Sequence, residues 1–351
     1  MNILIVKLSA VGDVVHTLPS LSALREAYPA AHITWVVEEG AADLLHNHPD
    51  CDRVLVSFRK RWVNSLIRGR NRRETIGEIR SFLSVLRDRH YDLAIDFHGL
   101  FKSAVIIGWS RADRKLGYRS MQELSRFFYN ETIPEDMEKH AVLRYLDFIE
   151  HIGAKPREPR FSLALDEPGH NWIAGLLEQH GIGNGAPFIA LSPVAFWETK
   201  LWDNDRFARL GDRIVEELKL PVVFTGAPGS GLICRIRGAM NADSITLEGQ
   251  TSLRELACLY SRAALVVTTD SGPMHIAAAV GTPTVALFGP TDPARTGPFG
   301  TGHVIIRSNI SCSPCFLKHC TGRDCMMDID VEEVFEAVKQ QLSRKETQPW
   351  Q

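Results

Sequence analysis

The stretch Asn2-Ile-Leu-Ile-Val-Lys-Leu-Ser-Ala-Val-Gly-Asp13 opens the chain and indicates its fold. Residues 2–8 are rich in leucine and β-branched side chains, which is typical of a buried strand. A small polar turn follows, and a helical pattern then continues to about Tyr28. This order repeats, with strands predicted at residues 32–37, 53–57 and 92–97 and helices predicted after residue 40 and at residues 76–89. Apolar strands that alternate with helices form a parallel sheet covered on both faces.

The same alternation returns in the second half of the chain. Residues 155–187 are rich in Pro, Gly and Glu around one helical segment, and we interpret them as the connection between two domains. The later elements are strands predicted at residues 188–192, 221–225, 265–268 and 284–288 and helices predicted at residues 205–218, 253–261 and 274–280. A chain of 351 residues exceeds the usual size of one hydrophobic core. We therefore predict two doubly wound α/β domains facing each other.

Composition excludes several classes of protein. With 40 Lys and Arg against 42 Asp and Glu, the formal net charge is −2, so the molecule as a whole has no attraction for nucleic acid. Hydrophobic residues make up 44% of the chain, as in ordinary globular proteins, but no apolar run approaches the ~18 residues of a transmembrane helix. The N-terminal apolar run is too short for a secretory signal. We expect a cytoplasmic protein.

The loops that follow the predicted strands are the places to look for chemistry, because ligands of doubly wound sheets bind beyond the carboxyl ends of the strands. In the first of these loops, Gly12 permits a tight turn and Asp13 begins the helix. Asp13 has two interpretations, a helix cap or a general base. No G-x-G-x-x-G sequence is present here, which disfavours a dinucleotide oxidoreductase.

A second candidate is Thr268-Thr-Asp-Ser-Gly-Pro-Met-His275, where a strand ends and a helix begins. The free N–H groups of a helix start and the hydroxyl of Ser271 are suited to a phosphate. Alternatively, Asp270 caps the helix and His275 is a core residue. A Gly-rich loop at residues 225–231 is suited to close approach by a nucleotide, and Lys200 could reach a diphosphate.

Two further clusters stand out from the balanced composition. Seven cations and no acid occupy the fifteen residues 59–73, so this run is either a solvated loop or a surface for an anionic partner. Four thiols lie within fourteen residues: Cys312, Cys315, Cys320 and Cys325. Their spacing is compatible with a zinc or iron–sulfur site, although we favour a structural loop without a metal.

Six motifs, in this order, resemble the glycosyltransferase family that includes the bacterial lipopolysaccharide heptosyltransferases. They lie at residues 6–19, 35–40, 96–104, 200–202, 270–275 and 289–293. The resemblance implies a GT-B fold of two Rossmann-like domains that face a central cleft. It implies an acceptor-binding domain at residues 1–165, a nucleotide-sugar-binding domain at residues 185–325, and a helix at residues 326–351 that packs back on the first domain.

The resemblance also implies a reaction. L-glycero-D-manno-heptose would move from ADP-heptose to a Kdo residue of Kdo2-lipid A, with inversion, without a cofactor or metal ion, and at the anionic cytoplasmic face of the inner membrane. One alternative is a related transferase that uses another nucleotide-sugar or adds the second heptose. An alternative of another class is a thiol-metal binding protein centred on the four cysteines.

Roles for individual residues follow from the same resemblance. Asp13 would be the base that deprotonates the acceptor hydroxyl, and Lys200 would stabilise the leaving diphosphate. The donor-binding residues would be Gly226, Ser230, Asp270, Ser271, Gly272 and His275. The acceptor-binding residues would be Arg59, Lys60, Arg61, Lys102, His140 and Arg144.

Overall fold

The computed structural model describes residues 1–120, 122–154 and 158–347, in two compact units, Met1–Ala164 and Leu165–Gln351. The first unit ends beside residue 165, where the first domain is predicted to end. Most of the predicted connection at residues 155–187 belongs to the second unit, because the helical segment within this connection packs in that unit.

The first unit is built on six parallel strands in the order β3-β2-β1-β4-β5-β6. The strands are β1 (Asn2–Val6), β2 (His32–Glu38), β3 (Arg53–Ser57), β4 (Tyr91–Asp96), β5 (Ala112–Tyr118) and β6 (Glu131–Ile133). The helices are α1 (Val11–Ala27), α2 (Glu39–Ala42), α3 (Arg59–Arg68), α4 (Arg72–Leu86), α5 (Phe101–Trp109) and α6 (Ala141–His151), with 3₁₀ segments at Asp43–Leu45 and Gln122–Phe128.

The second unit repeats this architecture, with strand order β12-β11-β10-β7-β8-β9. Its strands are β7 (Ile189–Ser192), β8 (Val222–Phe224), β9 (Ile245–Thr246), β10 (Leu265–Thr269), β11 (Thr284–Phe288) and β12 (His303–Arg307). Its helices are α7 (Glu167–Gln179), α8 (Asn204–Leu218), α9 (Leu232–Ala239), α10 (Leu253–Arg262), α11 (Gly272–Ala279), α12 (Pro293–Thr296), α13 (Asp324–Met327) and α14 (Val331–Thr347), with a 3₁₀ segment at Glu198–Lys200. Both sheets confirm the predicted α/β class.

Strand order reverses at one place in each sheet, between β1 and β4 in the first unit and between β7 and β10 in the second. Val6 pairs with Asp96 at the carboxyl end of the first pair, and Ser192 pairs with Thr268 in the second. Such a reversal leaves a crevice between helices on opposite faces of the sheet. The loops after these four strands are therefore the expected ligand sites.

The run of cations at residues 59–73 forms parts of two helices rather than a solvated loop. Helix α3 buries Trp62, whose ring lies 5.5 Å from that of Phe82 on α4. Gly69, with a left-handed φ of 68°, ends α3. Arg and Lys have high helix propensity, and the buried Trp62 holds α3 against the rest of the unit. The charge pattern alone did not indicate this helix.

The C-terminal helix packs on the sheet of the second unit, and its predicted packing on the first domain stays a prediction. Helix α14 buries Val334, Phe335 and Val338 in a core cluster with Val267 and Leu287 of the second unit's own strands. Its apolar side chains therefore complete the core of the unit to which it is joined. Within the residues described, no helix is both long enough and apolar enough to cross a bilayer.

Replacing Phe335 tests this assignment. Phe335 is fully buried, so Phe335→Ala is expected to lower the free energy of unfolding of the second unit by about 3–5 kcal/mol. Urea unfolding followed by circular dichroism measures the change. The matched control is Phe196→Ala, since Phe196 is 97% exposed and its loss should change stability by less than about 0.5 kcal/mol. Equal effects of the two substitutions would contradict the buried position of α14.

Candidate functional site

Lys7, at the end of β1, is a buried ammonium at the strand reversal of the first unit. Its Nζ donates to the carbonyl oxygen of Phe97 at 3.0 Å and to the hydroxyl of Tyr145 at 2.6 Å. Burial lowers the pKa of Lys7, and the neighbouring carboxylate of Asp13 opposes this shift. The side chain thus joins the loops after β1 and β4 to helix α6.

Asp13 lies in the first turn of α1 and caps the helix, while its role as a general base stays a prediction. Its Oδ2 accepts a hydrogen bond from the backbone N–H of Ala10 at 3.0 Å, which stabilises the helix start. Its Oδ1 accepts from the Tyr145 hydroxyl at 3.3 Å and lies 3.7 Å from Lys7 Nζ. Because its side chain is 40% exposed, this carboxylate remains accessible to a ligand.

The Tyr145 hydroxyl lies between the other two groups in a short chain of hydrogen bonds. Burial raises the pKa of Tyr145 well above its usual value, so the hydroxyl keeps its proton. It accepts from Lys7 and donates to Asp13. In this series of hydrogen bonds, the Lys7 ammonium and the Tyr145 hydroxyl both face Oδ1 of Asp13.

The loop after β4 is shaped by the buried carboxylate of Asp96. Its Oδ1 accepts from the backbone N–H groups of His98 and Gly99 at 2.8 and 3.1 Å, and its Oδ2 accepts from the Tyr129 hydroxyl at 2.7 Å. Gly99 has a left-handed φ of 70°, which a glycine adopts without strain. Burial, aided by the charges of Lys7 and Lys102, lowers the pKa of His98 to about 2. His98 is therefore a neutral imidazole beside the two ammonium groups.

Three cations gather around the buried carboxylate of Glu38 at the end of β2. Glu38 is 3.0 Å from Arg59 and 3.4 Å from Lys60. Lys102, at the start of α5, donates to the hydroxyl of Ser9 at 3.2 Å. Burial lowers the pKa of Lys102, while Glu38 opposes the shift. We call Arg59, Lys60 and Lys102 the cationic cluster, and it lies at the carboxyl end of the first sheet.

The other predicted acceptor residues are placed differently. Arg61 pairs with Glu78 of α4 at 2.8 Å, away from Glu38. Arg144 is buried and pairs with Glu135 at 3.2 Å. His140 caps α6 by accepting the N–H of Val142 at 3.2 Å, and its ring lies 5.1 Å from that of His16. These residues have evident structural partners, and their predicted role in acceptor binding stays a prediction.

In the second unit, Lys200 and Asp270 meet at the strand reversal. Lys200 Nζ lies 2.6 Å from Asp270 Oδ2, and the hydroxyl of Thr291 donates to the same oxygen at 2.5 Å. The ammonium also lies 4.6 Å from the centre of the Trp197 ring. Asp270 is buried, and these two partners fix the position of its carboxylate. The carboxylate in turn fixes the position of the Lys200 ammonium. Residues 200, 270 and 291, which come from three different connecting segments, therefore lie together in this unit.

Helix α11 begins directly after Asp270. Ser271 precedes its first turn, and the buried Oγ of Ser271 has no hydrogen-bond partner among the described residues. The backbone N–H groups of Ser271 and Gly272 lie at this helix start, where they can donate to an anion, whereas Pro273 has no N–H and Met274 N–H donates to Ser271 O at 3.1 Å. His275 is buried on the same helix.

The Gly-rich loop after β8 has structural explanations for its predicted donor residues. A Cβ on Gly226 would lie 2.9 Å from Ile233 Cδ1 and 3.0 Å from Val194 Cγ1, so close packing requires glycine there. Ser230 Oγ accepts from the N–H of Leu232 at 3.1 Å, which stabilises the start of α9. A direct contact of these two residues with a donor stays a prediction.

The four late cysteines lie in the segment between β12 and α14. Cys312 and Cys320 are exposed, Cys315 is intermediate and Cys325 is buried, and all four are free thiols. Burial raises the pKa of Cys325, and nearby Cys315 and Cys312 act in the same direction. Among the described residues, no group of three or more His, Cys, Asp or Glu side chains is arranged to hold a metal ion.

Sequence analysis assigned no individual role to several members of these sites, although the first four lie within the motifs that it singled out: Lys7, Glu38, His98, Thr291, Tyr145 and Trp197. A signal existed for Lys7 and Glu38, since each is a charged residue at the carboxyl end of an apolar strand. Tyr145 carried none, because it comes from α6, 132 residues from Asp13 in the chain.

Comparisons with known proteins identify the family of this chain. The profile of glycosyltransferase family 9 (heptosyltransferase) matches residues 79–325. The lipopolysaccharide heptosyltransferase 1 of Pseudomonas aeruginosa is 32% identical over 334 residues, 92% of this chain and 88% of that protein.

Two solved structures show the fold. A glycosyl transferase of family 9 from Veillonella parvula has a TM-score of 0.84 and 24% identity, covering 98% of this chain and 97% of that one. The E. coli heptosyltransferase WaaC with ADP-2-deoxy-2-fluoro heptose has a TM-score of 0.77 and 23% identity, covering 97% and 99%. The fold is therefore GT-B, as predicted, and the profile match together with the 32% identity shows that this chain belongs to glycosyltransferase family 9, the heptosyltransferases.

Proposed function

We propose that this glycosyltransferase moves L-glycero-D-manno-heptose from ADP-heptose to a Kdo residue of Kdo2-lipid A, with inversion at the anomeric carbon. The relative from P. aeruginosa is named lipopolysaccharide heptosyltransferase 1, and the E. coli neighbour is in complex with ADP-2-deoxy-2-fluoro heptose. The observation that carries the proposal is the ion pair of Lys200 and Asp270 beside the start of α11, because it joins positive charge to anion-binding N–H groups.

In the donor site, Lys200 stabilises the charge that develops on the diphosphate as the bond from the anomeric carbon to the phosphate oxygen breaks. Asp270 and Thr291 position the lysine, and the Trp197 ring limits where its ammonium can lie. The unpaired hydroxyl of Ser271 and the N–H groups of α11 add neutral donors to the phosphates. Since the protein supplies this charge itself, the proposed reaction uses no metal ion or cofactor.

In the first unit, Asp13 takes the proton from the acceptor hydroxyl as that oxygen forms its bond to the anomeric carbon. One carboxylate oxygen is engaged by the N–H of Ala10, and the other faces Lys7 and Tyr145. These contacts fix the position of the carboxylate that acts as the base.

The cationic cluster binds the acceptor in this proposal. Kdo carries a carboxylate and lipid A carries phosphates, and Arg59, Lys60 and Lys102 offer donors to such groups. Glu38 keeps Arg59 and Lys60 in place. Because the acceptor is a membrane lipid, the enzyme would work as a peripheral protein at the anionic cytoplasmic face of the inner membrane.

Asp13→Asn tests the base. The amide oxygen can still accept from Ala10, so the melting temperature should stay nearly constant while kcat falls by about 100-fold or more. Radiolabelled ADP-heptose turnover and thermal unfolding measure the two quantities. Asp166→Asn is the matched control, because Asp166 also caps a helix, by accepting the N–H of Gly169 at 2.9 Å, but has no proposed catalytic role. If Asp13→Asn retains kcat within a few-fold and melts earlier, Asp13 is a cap alone.

Lys200→Ala tests the donor site. Loss of a charge-assisted contact to the diphosphate should weaken ADP binding by about 1.5–3 kcal/mol, which calorimetry in the presence of EDTA measures. The acceptor KM should change little. Lys339→Ala is the control, since Lys339 pairs with Glu336 on α14 and has no proposed role. Unchanged ADP affinity in Lys200→Ala would remove the lysine from the donor site.

Lys60→Ala tests the acceptor site. Lys60 is 73% exposed, and Arg59 remains as a partner for Glu38, so folding should be preserved. The acceptor KM should rise about three- to tenfold at low salt with the donor KM unchanged, and higher salt should reduce the difference by screening. Arg61→Ala is the matched control, because Arg61 faces Glu78 instead. Equal increases for both variants would show that the whole run of cations binds the acceptor.

A further inference from the structure

Helix α5 is apolar on two opposite sides. Ala104, Ile106 and Ile107 are buried in the first unit. Phe101, Val105 and Trp109, spaced four residues apart, are 48%, 37% and 48% exposed. Residues at this spacing share one side of a helix, so they form an apolar stripe on its outer side.

The 3₁₀ segment Gln122–Phe128 packs beside α5 and exposes two more large apolar side chains. Its Leu124 is 58% exposed and its Phe127 is 69% exposed. The segment is held against α5 by Phe128, whose ring lies 5.8 Å from that of Phe101. A Cβ added at Gly108 would lie 2.4 Å from the Phe128 ring, so the 3₁₀ segment and α5 pack closely. We call Phe101, Val105, Trp109, Leu124 and Phe127 the apolar face.

An apolar face of this kind needs a physical explanation. Single exposed apolar side chains are normal, but neighbouring large ones are costly to keep in water and mark surfaces that bind a protein, a ligand or a membrane. Three of the five are aromatic, and aromatic side chains are enriched where membrane meets water.

Charge distinguishes among these partners. Residues 101–128 contain six Lys and Arg but only two Asp and Glu, an excess of four positive charges in a chain whose net charge is −2. The guanidinium of Arg87 also lies 5.8 Å from the centre of the Trp109 ring. Two copies of such a surface would repel each other, whereas an anionic lipid surface would attract it.

The apolar face is also continuous with the candidate acceptor site. Phe101 is adjacent in sequence to Lys102, whose ammonium reaches Ser9 at the end of β1. A lipid surface that covers the outer side of α5 would therefore lie beside the groups proposed to bind the sugar of a lipid acceptor.

We infer that the apolar face inserts into the boundary between headgroups and acyl chains of an anionic bilayer, with the surrounding cations at the lipid phosphates. The inference deepens the proposed function, since it rests on a lipid acceptor for its purpose. Binding to a bilayer is nevertheless measurable without any reaction.

The test uses the full chain and flotation with vesicles of phosphatidylcholine and phosphatidylglycerol. The double variant Leu124→Gln and Phe127→Gln removes apolar area without changing charge, and it should weaken vesicle binding by about tenfold or more. Trp172→Gln is the matched control, because Trp172 is a 54% exposed aromatic residue on α7 of the second unit. Ile67→Gln tests the competing surface on α3, where Ile67 is 77% exposed. Both single variants should bind vesicles like the parent protein.

Three results would overturn the inference. One is unchanged vesicle binding by the double variant when circular dichroism shows that it is folded. Another is an equal loss in Trp172→Gln or Ile67→Gln, which would assign binding elsewhere. A third is a dimer of the parent protein, measured by light scattering, that the double variant dissociates, since a second copy would then be the occupant.

Activity separates this inference from the proposed function. With Kdo2-lipid A in vesicles, the double variant should show a higher acceptor KM, and with the deacylated, water-soluble acceptor it should match the parent protein. If the parent protein uses neither acceptor, the proposed function fails while the flotation result still stands. If the double variant loses activity equally on both acceptors, the apolar face acts on the site rather than on the membrane.

Discussion

Two pairs of hydrogen-bonded parallel strands, β1 with β4 and β7 with β10, determine where chemistry is placed in this protein. In each sheet the chain winds outward from these central strands in opposite directions, so the helices that follow them cover opposite faces. Backbone crowding is lowest at that reversal, and side chains from both loops can converge there. Lys7 and Asp96 come from the first pair of loops, and Lys200 and Asp270 come from the second.

Each reversal holds buried charge that a hydrophobic core would not keep. Removing an ion from water costs several kcal/mol, and a buried pair is retained only where its geometry is good or its function requires it. Lys7 is satisfied by Phe97 and Tyr145, and Asp270 by Lys200 and Thr291. In both places a second group fixes the position of the side chain that we propose to contact the ligand. Transfer of a sugar from one molecule to another requires charged groups at precise positions.

Charge and apolar surface are unevenly distributed in the first unit, although the whole chain is nearly neutral. Among the cations of residues 59–73, Arg59 and Lys60 pair with Glu38, whereas Arg61 pairs with Glu78. Neighbouring residues of this run therefore lie in two different environments. Residues 101–128 combine an excess of cations with exposed aromatic and aliphatic side chains. The proposed lipid acceptor would account for both features, because its sugar and phosphates interact with charged groups and its acyl chains interact with apolar ones.

Apolar periodicity determined the α/β class, the two repeats and most strands, because a parallel strand covered on both faces leaves a continuous apolar run such as Ile3 to Val6. It missed β5, because about half of its sequence, Ala-Asp-Arg-Lys-Leu-Gly-Tyr, is polar. It also missed α3, where burial of one tryptophan stabilises a helix in a segment rich in cations. Motifs led to Asp13, Lys200 and Asp270. Only the tertiary structure joined Tyr145 to Asp13, separated Arg61 from Lys60, and buried α14 in its own unit. Hydrogen bonds and packing between distant segments decide these features, and local sequence patterns do not encode the distance between residues far apart in the chain.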